Sequence, residues 1–500
     1  MAALSLSRGS QPRWSLDELS FELLVLILER LSNIDANSLA ASRRLSRKFK
    51  AIATPIRYKT IRLTPGLLDP RKQQDCSEGL ASICRHTRHV EIGTDLDPQL
   101  IRALLTKIER LSSVRWRYLE SALCKSDFWI PSDILSPRHL QVNPIKLHIE
   151  NLPLRDFRTE RYNPYLRAIP PACLASLHVA IPTPPLTARL ETLKGLLLKS
   201  RQLKVFSLGD RGQGTQFTFN DDEQLPAFTK LSLRSYDWNH SGDEVAKHWN
   251  FKEIRHLELT DVPLYPFLCS ISFEDFESLK SLQLDDFSTH VQNRRRETTQ
   301  GQYHFIKRIQ ALTDMKITCQ TSHFPIDGLI HHASSLQDLR FRDYTGFSDE
   351  YRRCPTMKLH DLEHLARHLV QLHTLEIDMD ERHCDPYKFL STLCAFPKLR
   401  NLTLHTQTIL DVFEDIGPKT DPDYNHVLSM FRLLHQQKQP SSWKSITINV
   451  GGWKRVMIRR LSAAWREQNA RGVFAERCFV LERTEDGRLR VDERRPAEVS

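Results

Sequence analysis

The sequence predicts an α/β protein: a helical motif at the N-terminus, then an irregular run of repeated strands joined by helices, then a helix-plus-hairpin cap. Three observations predict it. Apolar residues recur at helical pitch between Leu19 and Phe49. Short segments with period-two alternation recur from Tyr58 to Val450. Amphipathic helical patterns lie between many of those segments.

Residues 1–14 are small, polar and basic, and read as a mobile leader to the fold. The helical motif is assigned to 15–54. Leu19, Leu23, Leu24, Ile27, Leu28 and Leu31 place a broad apolar stripe along about three turns. Asn33, Ile34 and Asp35 break that helix, and Ala36 to Lys50 reads as a second one with Leu39, Leu45 and Phe49 as its apolar members. Two short helices in succession form a hairpin.

From 55 to 450 the repeats take over. YKTIRL, RHVEI, PIKLHI, LKVFSL, IRHLEL, LQDLRF and LRNLTL share an apolar pair flanking a single position. The second apolar residues are Leu63, Ile92, Trp116, Ile149, Val179, Leu208, Leu233, Leu259, Leu284, Ile317, Phe341, Ile377, Leu404 and Ile448. Intervals of 25, 26 and 25 residues link Leu208, Leu233, Leu259 and Leu284, and elsewhere they run from 24 to 44. That spacing fits leucine-rich repeats, each a strand with a return segment. Every enclosed residue is polar, including Arg115, His148, His178, Glu258, Gln283, Lys316, Arg340 and Glu376, as a strand buried on one face requires.

Leu362, Leu365, Ala366 and Leu369 make a helical stripe, as do Val427, Met430, Phe431 and Leu434, and Leu190, Leu193 and Leu197 follow the same spacing. Strand, helix, strand in succession implies parallel neighbours, and about fourteen strands would span roughly 60 Å. The Asn or Cys ladder of the fuller repeat signature is absent after Leu208 and Leu233. Two polar insertions interrupt the rhythm: Gly209 to Gln224 reads as a mobile loop, and Asp286 to Gln302 carries Arg294, Arg295 and Arg296. Beyond 450, Val456, Ile458, Leu461 and Trp465 suggest a helix, and CFVLE with RLRVDE a hairpin, together capping the open end of the repeats in 451–500.

Composition narrows function. Hydrophobic residues at 40% and charged residues at 26% describe an ordinary folded chain, and no segment is apolar for long enough to cross a bilayer. Ten cysteines without a CxxC pair read as free thiols, which with the absence of a secretion signal points to the cytosol or nucleus. The formal charge is +10, but acidic and basic residues are interspersed except between Ala36 and Leu68, where Arg43, Arg44, Arg47, Lys48, Lys50, Arg57, Lys59 and Arg62 meet no acid. That run suits an acidic protein surface, a nucleic-acid backbone or plain solvent.

Signals for chemistry are sparse. With 17 glycines and no phosphate-loop, dinucleotide or nucleophile-elbow motif, no catalytic machinery is expected. His360, His364 and His368 follow one helix edge, but the outer two stand about 12 Å apart, so solvent-facing histidines are expected rather than a metal site. Cys76 with His86 and His89 lacks a third orienting group. No cofactor is implied.

Leu19, Glu22, Leu23, Leu24, Ile27, Leu28, Leu31, Asp35, Leu39, Leu45, Ser46 and Phe49 together resemble an F-box, over about a tenth of the chain. Ser20 stands where many F-boxes have proline. The degenerate repeats resemble those of many fungal F-box proteins. The resemblance implies a substrate-recognition subunit of a cullin-RING ubiquitin ligase. Its adaptor-binding residues would be Leu19, Glu22, Leu23, Leu24, Ile27, Leu28, Leu31, Leu39, Leu45 and Phe49, docking a Skp-type adaptor and through it a cullin. The polar strand residues would then form the face offered to a protein substrate, whose identity the sequence leaves open. Membrane and nucleic acid are not expected partners. The alternative is a scaffold without ligase function, in which the hairpin only caps the repeats.

Overall fold

A computed structural model describes residues 16–119, 130–142, 145–153, 166–180, 190–210, 214–285, 294–344, 356–407, 409, 421–438, 443–450, 477–483 and 489–494. The chain divides into two compact units, Met1–Ala180 with Gly195–Leu203, and Ile181–Lys194 with Lys204–Ser500.

The first unit begins with helices α1 (Phe21–Ile34), α2 (Ala36–Ser42) and α3 (Arg47–Tyr58). Side chains at the junctions set their limits. Ser20 Oγ accepts the Leu23 N–H at the start of α1, and Asp35 both ends α1 and accepts the Asn37 and Ser38 N–H groups that open α2. The second helix expected over Ala36–Lys50 is two helices. Arg43–Leu45 form a turn, and Ser46 Oγ caps α3 by accepting the Phe49 N–H at 3.2 Å. No glycine or proline marks that break, so periodicity alone ran through it. α3 continues past Pro55 to Tyr58, beyond the expected boundary at 54/55. The three helices enclose their own core of Leu24, Leu28, Leu39, Phe49, Ile52 and Ala53.

Strands β1 (Thr60–Arg62), β2 (His89–Gly93), β3 (Ser113–Arg117), β4 (Lys146–Pro153) and β5 (Leu174–Ala180) follow, each parallel to the next. The tip of α3 joins this array directly, because the Lys59 carbonyl accepts the His89 N–H at 3.0 Å and Thr87 Oγ1 donates to the Tyr58 carbonyl at 2.9 Å. Register between β4 and β5 slips twice, between Leu147 and His148 and between Ile149 and Leu152. Within β4, Asn151 has φ +57°, in the left-handed region that non-glycine residues seldom enter, and the pairing with β5 shifts around it. The slip after Leu147 sets His148 opposite Ser176, and His178 falls outside its row.

The second unit holds β6 (Val205–Gly209), β7 (Lys230–Arg234), β8 (His256–Thr260), β9 (Ser281–Asp285), β10 (Asp314–Cys319), β11 (Asp338–Asp343), β12 (Thr374–Met379), β13 (Asn401–Thr406) and β14 (Ser445–Val450). All pair in parallel with the next in order. β15 (Arg477–Arg483) and β16 (Leu489–Arg494) add an antiparallel hairpin to β14. The helix expected around Val456–Trp465 lies outside the described residues.

Each expected strand has its counterpart among β1–β14, and all fourteen of the second apolar residues are buried. Ser232 apart, the polar residues between them are half-buried or exposed, as one-sided burial demands. The expected stripes at Leu362, Leu365, Ala366 and Leu369 and at Val427, Met430, Phe431 and Leu434 are buried. The fold is thus mixed α/β with mostly parallel strands in sequence order.

In both expected insertions the described residues are more ordered than their polarity suggests. In Gly209–Gln224, of which 211–213 lie outside the described residues, Phe217 is buried and its N–H donates to Tyr236 Oη at 2.8 Å. Two aromatic side chains, Phe217 and Phe219, pack against Trp249 and outweigh the polar composition. In Asp286–Gln302, of which 286–293 lie outside the described residues, the helix Arg295–Arg308 begins and buries Arg295, Thr298, Thr299 and Gln302. Arg295 lies over the Tyr344 ring and Arg294 over the Tyr265 ring.

Candidate functional site

α1 carries apolar residues on two faces. At 100° per residue, Leu24, Leu28 and Leu31 fall on one side, and Leu23, Ile27 and Ile34 on another, about a quarter-turn away. The structure treats the two differently: Leu24 and Leu28 are 1% and 2% exposed, whereas Leu23, Ile27 and Ile34 are 50%, 46% and 83% exposed. Phe21, Leu26 and, in the turn before α3, Leu45 are exposed as well.

This divides the residues expected to bind an adaptor. Leu24, Leu28, Leu39 and Phe49 form the bundle's own core, with Leu19 and Leu31 half-buried against it. Glu22, Leu23, Ile27 and Leu45 face outward. Phe21, Leu26 and Ile34 join the outward set without having been expected there. The available signal was that α1 is apolar nearly all round, the mark of a helix with two surfaces to cover.

The basic run is partly spent within the chain. Arg43 Nε donates to Thr54 Oγ1 and its guanidinium lies over the Tyr58 ring, Lys48 Nζ donates to the Leu19 carbonyl, and Lys50 and Lys59 pair with Glu78 and Glu29. Arg44, Arg47, Arg57 and Arg62 are exposed.

The polar residues of the strands form rows. In the first unit Arg62, Glu91, Arg115 and His148 lie side by side, and Arg115 pairs with both Glu91 (3.2 Å) and Glu150 (3.4 Å). His148 Nδ1 meets Ser176 Oγ at 2.9 Å, and burial, helped by the Arg115 charge, lowers its pKa. In the second unit Glu258, Gln283, Lys316, Arg340 and Glu376 form one row. Lys316 is exposed, Glu258 is half-buried, and Gln283 Nε2 donates to Thr260 Oγ1.

Charge in this row concentrates at its β11–β13 end. Arg340 and Glu376 pair at 3.2 Å, Arg342 and Asp378 at 2.9 Å, and His405 Nε2 donates to Glu376 Oε1 at 2.9 Å. Asn449 Nδ2 lies 3.4 Å from His405 Nδ1. Burial alone would raise the Glu376 pKa, but the His405 hydrogen bond and the Arg340 and Arg342 charges hold it down at about 2. Burial and the Arg342 charge lower that of His405.

No family model matches the chain, and no curated protein matches it. Among solved structures the chain is similar to one described as the crystal structure of a TLR13-ssRNA13 complex, at 12% identity and a TM-score of 0.28 over 65% of this chain and 46% of that one. The chain spans less than half the length of that neighbour, and so loose a likeness bears on neither mechanism nor partner.

Among the described residues no group of three or more His, Cys, Asp or Glu is placed to hold a metal. His360, His364 and His368 are exposed on the helix Leu359–His368, with the last two rings 4.4 Å apart and His368 Nδ1 donating to the His364 carbonyl. Among the described residues no helix is long and apolar enough to cross a membrane. What the geometry offers is surface: an open apolar stripe on α1 and rows of largely paired polar side chains on the strands.

Proposed function

We propose that the chain is the substrate-recognition subunit of a cullin-RING ubiquitin ligase, with an F-box-like bundle that docks a Skp-type adaptor and a leucine-rich-like array of repeats that presents a protein substrate. It performs no bond chemistry itself. The observation that carries this reading is the second apolar face of α1, which stays open although the first already serves the bundle's core. Together with the residue pattern of the F-box, it gives the adaptor a surface to bury. Each Leu or Ile fully covered contributes about 1.5 to 3 kcal/mol before the costs of association. The docking residues are then Leu23, Leu26, Ile27 and Ile34, while Leu24, Leu28, Leu39 and Phe49 hold α1 in position.

On the substrate side, Arg115, Arg340 and Glu376 are engaged by neighbours, so free charge is supplied by residues such as Lys316 and Glu258, with His148, His178 and Gln283 as polar contacts. The alternative, a scaffold whose helices serve as a cap, draws on the bonds between the tip of α3 and β2. Ile27→Asp separates the two. For the ligase reading, the variant melts as the wild type does, since the site is on the surface, and loses co-purification with a Skp-type adaptor. Retained co-purification sinks the docking reading, and a large drop in melting temperature favours the cap.

A further inference from the structure

The outer stripe of α1 is apolar with one exception, and that exception lies in its middle. Arg30 is three residues from Ile27, four from both Leu26 and Ile34, and seven from Leu23, so three of its four nearest neighbours on the helix surface are exposed apolar side chains and the fourth is Asn33. Arg30 is itself exposed. The carboxylate next to it in sequence, Glu29, is turned to Lys59 at 3.2 Å, and among the described residues no acid pairs with Arg30. Its polar company one turn away is a single amide, Asn33. Here any partner that covers the stripe must also cover this guanidinium, and a guanidinium stripped of water without an acceptor is costly.

Resting on the docking reading above, we propose that Arg30 is the specificity-determining residue of the α1 surface, and that its occupant is a folded protein presenting a carboxylate inside an otherwise apolar contact. Charge around the stripe favours the same chemistry. From Ala36 to Lys59 the bundle has seven basic residues, all but Arg43 exposed, and no acid, while α1 itself carries Glu22 and Glu29. A field of that sign steers an acidic surface toward the bundle and disfavours a basic one. The stem of Arg30 also covers apolar neighbours, so packing and charge must be told apart. Methionine keeps the packing and removes the charge.

The test is calorimetric titration of the full chain with a purified Skp-type adaptor, at about 0.05 M and about 0.5 M salt. Arg30→Met is expected to weaken binding by about tenfold to a hundredfold, the effect of one charged hydrogen bond, and Arg30→Glu by more. The wild-type affinity should also fall more steeply with salt than that of Arg30→Met. Binding of Arg30→Met within twofold of wild type, while Ile27→Asp abolishes it, overturns the carboxylate and leaves the stripe as the docking face. Undiminished binding by Ile27→Asp overturns the docking reading and this inference with it. Unchanged melting temperatures for both Arg30 variants, expected for an exposed site, tie any loss to the contact.

Discussion

The outer face of α1 and the polar row of β11–β13 are both surfaces, yet they stand in opposite states. On α1, large apolar side chains meet water although the bundle beneath them is complete. On the strands, charges that could serve a partner are already satisfied: Arg342 by Asp378, and Glu376 by Arg340 and His405. Covering the first surface releases water from apolar groups and is favourable in itself. Covering the second gains little, because a partner must match hydrogen bonds that already exist or leave them intact. On the proposed reading, affinity would therefore belong to the helix, and the strands would contribute discrimination.

The largest expected effect tests the difference between the two faces of α1. Leu28→Ala opens a cavity in a six-residue core and should cost about 2 to 5 kcal/mol, because so small a bundle has little with which to refill it. Ile27→Ala, one residue away on the open face, should change stability by less than about 0.5 kcal/mol. Amide exchange along α1 reads both, and protection should collapse in the first variant and persist in the second. Equal losses would mean that Ile27 is as much a core residue as Leu28, and the docking surface would vanish.

The strand row is sharpened by acid. A carboxylate held at about 2 when folded, against an ordinary value of 4.5, stabilises the fold fully above pH 4.5, and that contribution is lost as pH falls toward 2. With 27% of the Glu376 side chain exposed, solvent screening trims the linked energy to on the order of 2 kcal/mol. Glu376→Gln should therefore be less stable than wild type by about that amount near neutral pH, with the gap narrowing below pH 4.5. Denaturant melts of both proteins across that range measure it. A gap that stays constant with pH would show that the loss comes from shape rather than from ion pairing.

How much of this was legible in the sequence depended on range. The strands were readable because one-sided burial leaves a local mark, an apolar residue on each side of a polar one, at Ile61 and Leu63 as at Leu402 and Leu404. Their register was not, since the two slips between β4 and β5, one of them at Asn151, depend on a strand more than twenty residues away. The helical motif was visible as a motif, but its apolar residues were gathered into one stripe when 100° steps separate Leu23 and Ile27 from Leu24 and Leu28. The break at Arg43–Leu45 was marked only by Ser46, a capping residue that reads equally well inside a polar helix face. Packing of Phe217 could not be seen because the surrounding residues are those of a loop.

The smallest effect concerns how firmly α1 holds its open face. Ser20 Oγ accepts the Leu23 N–H at 3.3 Å, while the Ser20 carbonyl accepts the Leu24 N–H at 3.1 Å. Ser20→Ala removes the first of these bonds and should cost about 1 kcal/mol, seen as faster exchange in the first turn. Ser20→Pro removes it too, but keeps the carbonyl bond and stiffens the chain before the helix, and Ser20 already has φ −61°, which a proline ring adopts without strain. Proline should thus protect the first turn better than alanine does. If alanine and proline exchange alike, entry into α1 is set by burial of Leu24 and Leu28 alone. The open face then owes its placement entirely to the core beneath it.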